Sequence, residues 1–219
     1  IGSIFYFSLP NKVSLFQIDH SNTKKLSDYN WNGKTILVAE DERSNFEVLK
    51  ASLARTYANL DWVENGKDAV QRCIENNYDL VLMNPPFISW EQMSRDAREA
   101  TNAIFERTNL GKLSKPNLAS AFFYKAINCL GGDGVIGCVM PSSLLTLDAY
   151  KKLRNECKDI ITMDLIGKLG NFIFDDALTD VSIIVGHKPK ENINPFVLWV
   201  KNEKGKAHKA LRDLRKMQS

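Results

Sequence analysis

Asn84-Pro85-Pro86-Phe87, directly after the apolar run Leu80-Val81-Leu82-Met83, is the segment of this chain best suited to chemistry. The Asn84 side-chain oxygen and the Pro85 carbonyl are two hydrogen-bond acceptors held on a loop that two prolines stiffen. Two acceptors side by side suit a group with two N–H donors, such as an exocyclic amine on an aromatic ring. That amine is a poor nucleophile because its lone pair is delocalised into the ring. Accepting both N–H bonds favours a pyramidal nitrogen with the lone pair free to attack, a gain from positioning and electrostatics. Phe87 offers a face on which a planar ring can stack.

A second polar cluster, Glu40-Asp41-Glu42, follows another apolar run, Thr35-Ile36-Leu37-Val38-Ala39. His20, His187 and His208 lack the mutual spacing of a site, and Cys73, Cys129, Cys138 and Cys157 include no C-x-x-C pair. The cysteines are expected to be reduced and buried.

The elements that must position these residues are legible from periodicity. Strands are predicted at 35–39, 60–63 and 79–83, alternating with helices whose apolar faces carry Phe46, Leu49 and Leu53, then Ala69, Val70, Cys73 and Ile74. Ser44 is the expected cap of the first helix, and Glu64-Asn65-Gly66 a turn. A β-α-β-α-β order implies a parallel α/β sheet. After Phe87 come a polar helix near 90–109, an apolar helix near 118–130 and a strand at 135–140. Then follow a helix near 144–157, a strand at 160–166, and late, antiparallel strands at 171–174 and 180–185. Gly132-Asp133-Gly134-Val135-Ile136-Gly137 spells G-x-G-x-x-G but precedes a strand, so it reads as a turn plus a strand glycine.

Composition is that of a globular protein, with 44% hydrophobic and 25% charged residues. No apolar run reaches the ~20 residues that span a bilayer. The start at Ile1, without a basic segment and apolar core, predicts no signal peptide, a cytoplasmic location and a fragment. Residues 1–83 carry 9 basic against 11 acidic residues, whereas 84–219 carry 20 against 15. The 201–219 segment has 7 basic and 2 acidic residues, which suits either a solvated helix face or an approach to nucleic-acid phosphates.

Two families are resembled, one on each side of residue 84. Residues 79–200 resemble the catalytic half of adenine-N6 DNA methyltransferases of restriction–modification systems. The resemblance rests on N-P-P-F, K-P-N-L-A-S-A-F-F, G-G-D-G-V-I-G-C-V-M-P-S-S-L-L and A-L-T-D-V-S-I-I-V. It implies S-adenosylmethionine as cofactor, DNA as partner, a flipped adenine as substrate, and Asn84, Pro85, Pro86 and Phe87 as catalytic residues. The glycine-rich cofactor loop that this family places before the catalytic loop is missing, so cofactor-binding residues are not assigned. The loop would have to come from a complementary subunit or N-terminal half, and without it the chain is expected to be inactive.

Residues 31–83 resemble the first half of a response-regulator receiver domain, through I-L-V-A-E-D-E, V-E-N-G-K-D-A-V and D-L-V-L-M. Residues 1–10 resemble the last strand of a histidine-kinase ATP-binding domain, and 11–30 a linker, the order of a hybrid histidine kinase. The resemblance implies Mg²⁺ at Glu40 and Asp41. It also places Asn84 where the phosphoaccepting aspartate should stand, and a carboxamide cannot form an acyl phosphate.

The expected architecture is thus a Rossmann-like three-layer α/β sheet, chimeric between a flavodoxin-like receiver half and a class I methyltransferase half. Its parts are a kinase tail and linker (1–30), a truncated receiver half (31–83), a methyltransferase-like half (84–200) and a basic segment (201–219). Because strand order differs between the parent folds, poor packing across the join is expected. The alternatives are a methyltransferase fragment, a phosphorelay receiver fragment without its phosphoacceptor, or a join without function.

Overall fold

The computed structural model describes residues 29–108, 110–111, 113–173 and 179–217. The kinase-like strand at 1–10 and almost all of the linker lie outside the described residues, as does Phe174.

One seven-stranded sheet organises the chain: β1 (Thr35–Ala39), β2 (Asn59–Val63), β3 (Tyr78–Met83), β4 (Leu130–Pro141), β5 (Thr162–Gly170), β6 (Val181–His187) and β7 (Phe196–Trp199). Their spatial order is β2-β1-β3-β4-β6-β5-β7, and β6 runs antiparallel to both neighbours while every other pairing is parallel. Alternation along the buried strands sends successive side chains to opposite faces. Leu37, Val81, Ile136 and Ile184 enter one core, and Ile36, Val38 and Leu80 enter a second on the other face.

Helices cover both faces, which gives the expected three layers. α1 (Arg43–Leu53) covers the second core with Phe46, Leu49 and Leu53, where Phe46 stacks on Trp62 at 4.8 Å. α2 (Gly66–Glu75), α3 (Arg95–Glu106), α4 (Leu118–Cys129) and α6 (Lys151–Ile160) supply the first core, α2 through half-buried Ala69 and Cys73. α7 (Lys206–Met217) packs Ala207, Ala210 and Leu211 beside Val139, Leu169 and Ile183. It is the amphipathic form taken by the basic segment.

Four local expectations differ from the structure. α1 starts at Arg43 with Glu42 as its cap position, so Ser44 lies inside the helix. The single helix predicted at 144–157 is broken at Leu147, which is extended (ψ 138°), leaving α5 (Ser143–Thr146) and α6. Arg154 makes the break tolerable, because one guanidinium nitrogen donates at 2.8 Å to the carbonyls of both Leu144 and Leu147. Asn171, Phe172 and Ile173 are irregular rather than a strand. β4 is longer than expected, with 131–134 bulged outward between the pairs Tyr78↔Leu130 and Leu80↔Val135.

The join itself is continuous. The first core contains Leu37, Val63 and Val81 together with Phe105, Ile127 and Ile136, so both sides of residue 84 share one interior. Poor packing was expected from differing strand orders, but the β2-β1-β3 arrangement extends directly through β4.

Candidate active site at the carboxyl ends of β1 and β3

The connection from β1 leads outward to β2, the chain returns across β1 to β3, and from β3 it continues to β4. Connections from β1 and β3 therefore leave in opposite directions, and the crevice above their carboxyl ends is the switch point where open α/β sheets bind ligands. Asn84 follows β3, and Glu40-Asp41-Glu42 follows β1. The pairs Ile36↔Leu80 and Leu37↔Val81, continued upward, set Glu40 beside Asn84. The two predicted sites are thereby neighbours.

Within the loop, Pro85 is buried and anchors the turn, whereas Asn84 and Pro86 are exposed. Among the described residues no hydrogen bond engages the Asn84 carboxamide. Phe87 is half-buried and touches both the first core and the β4-β6-α7 core. That grip fixes where the loop leaves the sheet. Downstream, the Ile88 carbonyl accepts from Leu118 N–H at 2.9 Å, and Ser89 and Gln92 form a capping box. Asn117 caps α4 through Ala119 N–H at 2.9 Å, while its own N–H donates to the buried Tyr150 hydroxyl at 2.8 Å. The K-P-N-L segment thus moors the far end of the loop, a role that spacing did not reveal. Lys115 meets Glu91 at 2.9 Å in an exposed ion pair.

Beside the loop, the Ser142 hydroxyl donates to Asp180 at 2.8 Å and lies 2.7 Å from the Ser182 hydroxyl. Lys168 pairs with the second Asp180 oxygen at 3.2 Å. This network, with buried serines and a part-exposed ion pair, ties the carboxyl end of β4 to β5 and β6. Sequence reading quoted P-S-S and A-L-T-D-V-S as motif strings, but did not see that they meet.

Neither cofactor implied by resemblance finds a ready cradle in the β1–α1 turn. Glu40 Oε1 accepts from Glu42 N–H at 3.2 Å and from the Asn45 side chain at 3.0 Å, which occupies the amino end of α1. With three carboxylates and no glycine, the turn repels the carboxylate of S-adenosylmethionine instead of holding it. For Mg²⁺, neutral Asn84 supplies no carboxylate opposite Glu40 and Asp41, and the Glu40 carboxylate is turned onto the Glu42 N–H. Among the described residues no group of three or more His, Cys, Asp or Glu is arranged to hold a metal ion. G-x-G-x-x-G at 132–137 lies wholly within β4, so Gly132 and Gly134 belong to a bulged strand where a turn was expected.

Comparison with known proteins bears on both resemblances. The Eco57I restriction-modification methylase family matches residues 4–176, and so runs through the join instead of starting at it. The autoinducer 2 sensor kinase/phosphatase LuxQ of Vibrio vulnificus is 29% identical over 101 residues, which are 45% of this chain and 12% of that protein. A Listeria monocytogenes protein assigned to the class I S-adenosylmethionine-dependent methyltransferases superposes with a TM-score of 0.56 at 14% identity, over 85% of this chain and 65% of that one. The Type IIL restriction-modification enzyme MmeI, solved in complex with DNA, superposes with a TM-score of 0.50 at 14% identity, over 75% of this chain and 24% of that one. These likenesses agree with the mostly parallel α/β sheet described above. The chain spans about an eighth of the curated relative and under two thirds of either solved structure. With a family match covering more than half of its length, the chain belongs to the Eco57I restriction-modification methylases.

Proposed function

We propose that this chain is the catalytic-loop part of a site-specific adenine-N6 DNA methyltransferase. The observation that carries the reading is the exposed Asn84 carboxamide at the switch point, unengaged among the described residues, on a loop held by buried Pro85 and half-buried Phe87. In this reading Asn84 Oδ1 and the Pro85 carbonyl accept the two N–H bonds of the adenine amine. Phe87 presents its ring edge or face to a base taken out of the duplex. Pro86 holds the loop's direction. DNA is the partner, in keeping with the family and with the DNA-bound MmeI.

S-adenosylmethionine is the methyl donor of such enzymes, and the described residues do not provide its glycine loop. A complementary segment or subunit is therefore required, and the chain alone is inactive. Isothermal titration of the isolated chain with S-adenosylmethionine tests this: no binding is expected, and micromolar binding would overturn the requirement.

A second reading has one observation in its favour, the likeness to the LuxQ kinase. In it, residues 31–83 descend from a receiver domain and the chain is a chimera joined near 79–84. Acetyl phosphate with Mg²⁺ separates the two. A change in mobility or spectrum supports a working receiver, and none is expected with Asn84 in place of the aspartate.

A further inference from the structure

α2 and α4 lie side by side and run in the same direction, since each returns to a strand of one parallel pair, β3 and β4. Gly66 opens α2 directly against α4: a Cβ placed there would lie 3.2 Å from Phe122 Cζ. Just past the two helices, a Cβ on Gly131 would lie 3.8 Å from Asn77 Cβ. Seven residues, close to two helical turns, separate Gly66 from Cys73, and the same seven separate Phe122 from Cys129. The two cysteines therefore meet across the helix pair. We propose that Cys73 and Cys129 form a reversible disulfide, a redox-sensitive staple between the segment before the catalytic loop and the segment after it.

The surroundings favour this pair over the other thiols. Cys73 is half-buried and reachable from solvent, while Cys129, Cys138 and Cys157 are buried. Cys138 is held in β4 with its thiol on the Ile184 carbonyl, and burial pushes its pKa up. Burial likewise pushes the Cys157 thiol up, to about 12. Cys129 is different: the neighbouring Cys73 thiol stabilises its thiolate, an interaction that with burial raises the pKa of Cys73, and Lys125 and Lys188 add positive charge, so the pKa of Cys129 is lowered against the cost of burial. Lys188 is itself fixed, donating to the Leu130 carbonyl at 3.1 Å.

With a small disulfide such as oxidised glutathione as oxidant, half-buried Cys73 passes its proton to the neighbouring Cys129 thiolate and attacks one sulfur, and the departing glutathione thiolate takes that proton up from Cys129. The Cys129 thiolate then attacks Cys73 Sγ and displaces the second glutathione. Two protein thiols are oxidised, and one glutathione disulfide is reduced to two thiols.

The test is incubation of the folded, reduced chain with oxidised glutathione, followed by thiol counting and mass mapping of a non-reduced digest. Two of the four thiols should disappear, with the peptides of Cys73 and Cys129 joined and dithiothreitol restoring all four. Cys129→Ser should stop at a glutathione adduct on Cys73, because the resolving thiol is gone. A persistent Cys73 adduct in the wild-type chain, a disulfide joining any other pair, or four unchanged thiols would each overturn the proposal.

Discussion

Asn117 and Tyr150 are joined by a 2.8 Å hydrogen bond from the Asn117 backbone to the buried phenolic hydroxyl. The bond links α4 to the helical turn before α6, and Leu118 in turn holds the Ile88 carbonyl. The loop that starts at Asn84 therefore has two fixed ends: the sheet at Pro85 and Phe87, and this mooring at residues 117–118.

Tyr150→Phe removes the acceptor and leaves a part-buried backbone N–H without a partner. A loss of about 1–3 kcal/mol in unfolding free energy is expected, the range for an orphaned buried donor. Denaturant melts of the two proteins measure it. An unchanged midpoint would show that the mooring carries no stability.

Leu37→Ala and Ile136→Ala delete core side chains on opposite sides of the join. Each should cost about 2–5 kcal/mol and shift one cooperative transition. Two separate transitions, with each substitution moving only one of them, would restore the idea of two independently packed halves.

Gly134 sits in the β4 bulge, where an added Cβ would lie 2.9 Å from the Tyr78 carbonyl oxygen and 3.0 Å from the Gly131 nitrogen. Both obstacles are backbone and cannot swing away. Gly134→Ala is expected to destabilise by roughly 1–3 kcal/mol, as overpacking does. Tolerance of alanine, read by thermal melts, would place the bulge differently.

At the start of β3, Asp79 binds Lys34 Nζ at 2.7 Å and the Thr35 N–H at 2.9 Å. Burial alone would raise the Asp79 pKa, but the Lys34 and Thr35 hydrogen bonds outweigh it and hold the carboxyl below its usual range. A depressed folded-state pKa stabilises above the unfolded value of about 3.9, and the contribution is lost as pH falls through the folded value. The side chains of Lys34 and Asp79 are 49% and 33% exposed, so screening limits the effect to about 1 kcal/mol or less. Urea melts between neutral pH and pH 3 should show this acid sensitivity diminished in Asp79→Asn. An identical pH dependence in both proteins would contradict it.

Period and turn chemistry made the alternating elements through β3 readable, because Thr35–Ala39 and Tyr78–Met83 are buried strands and Phe46, Leu49 and Leu53 fall on one helical face. The loop at 84–87 was readable because two prolines after an apolar strand leave few conformations. What escaped was non-local. Leu147 breaks a helix whose sequence pattern is continuous, and Arg154 stabilises the break from seven residues further on. Edge strand β7 has exposed Phe196, Val197 and Trp199, so it lacks the alternation that reports a buried face. Ser142, Asp180 and Ser182 converge only once β4 and β6 pair in register, with Met140 opposite Ser182. The continuity of the join was likewise hidden, since it depends on β3 lying between β1 and β4.

The most direct test of the central claim is methyl transfer in trans. The chain would be mixed with an S-adenosylmethionine-binding half from another restriction–modification methylase and unmethylated DNA of mixed sequence, and digested nucleosides analysed by mass spectrometry. N6-methyladenine should appear with the wild-type chain and fall at least about a hundredfold with Asn84→Ala, the scale expected for losing a transition-state hydrogen bond. Equal N6-methyladenine with Asn84→Ala, or methylation of another base by the wild-type chain, would contradict the assignment of this loop as the site that holds the adenine amine.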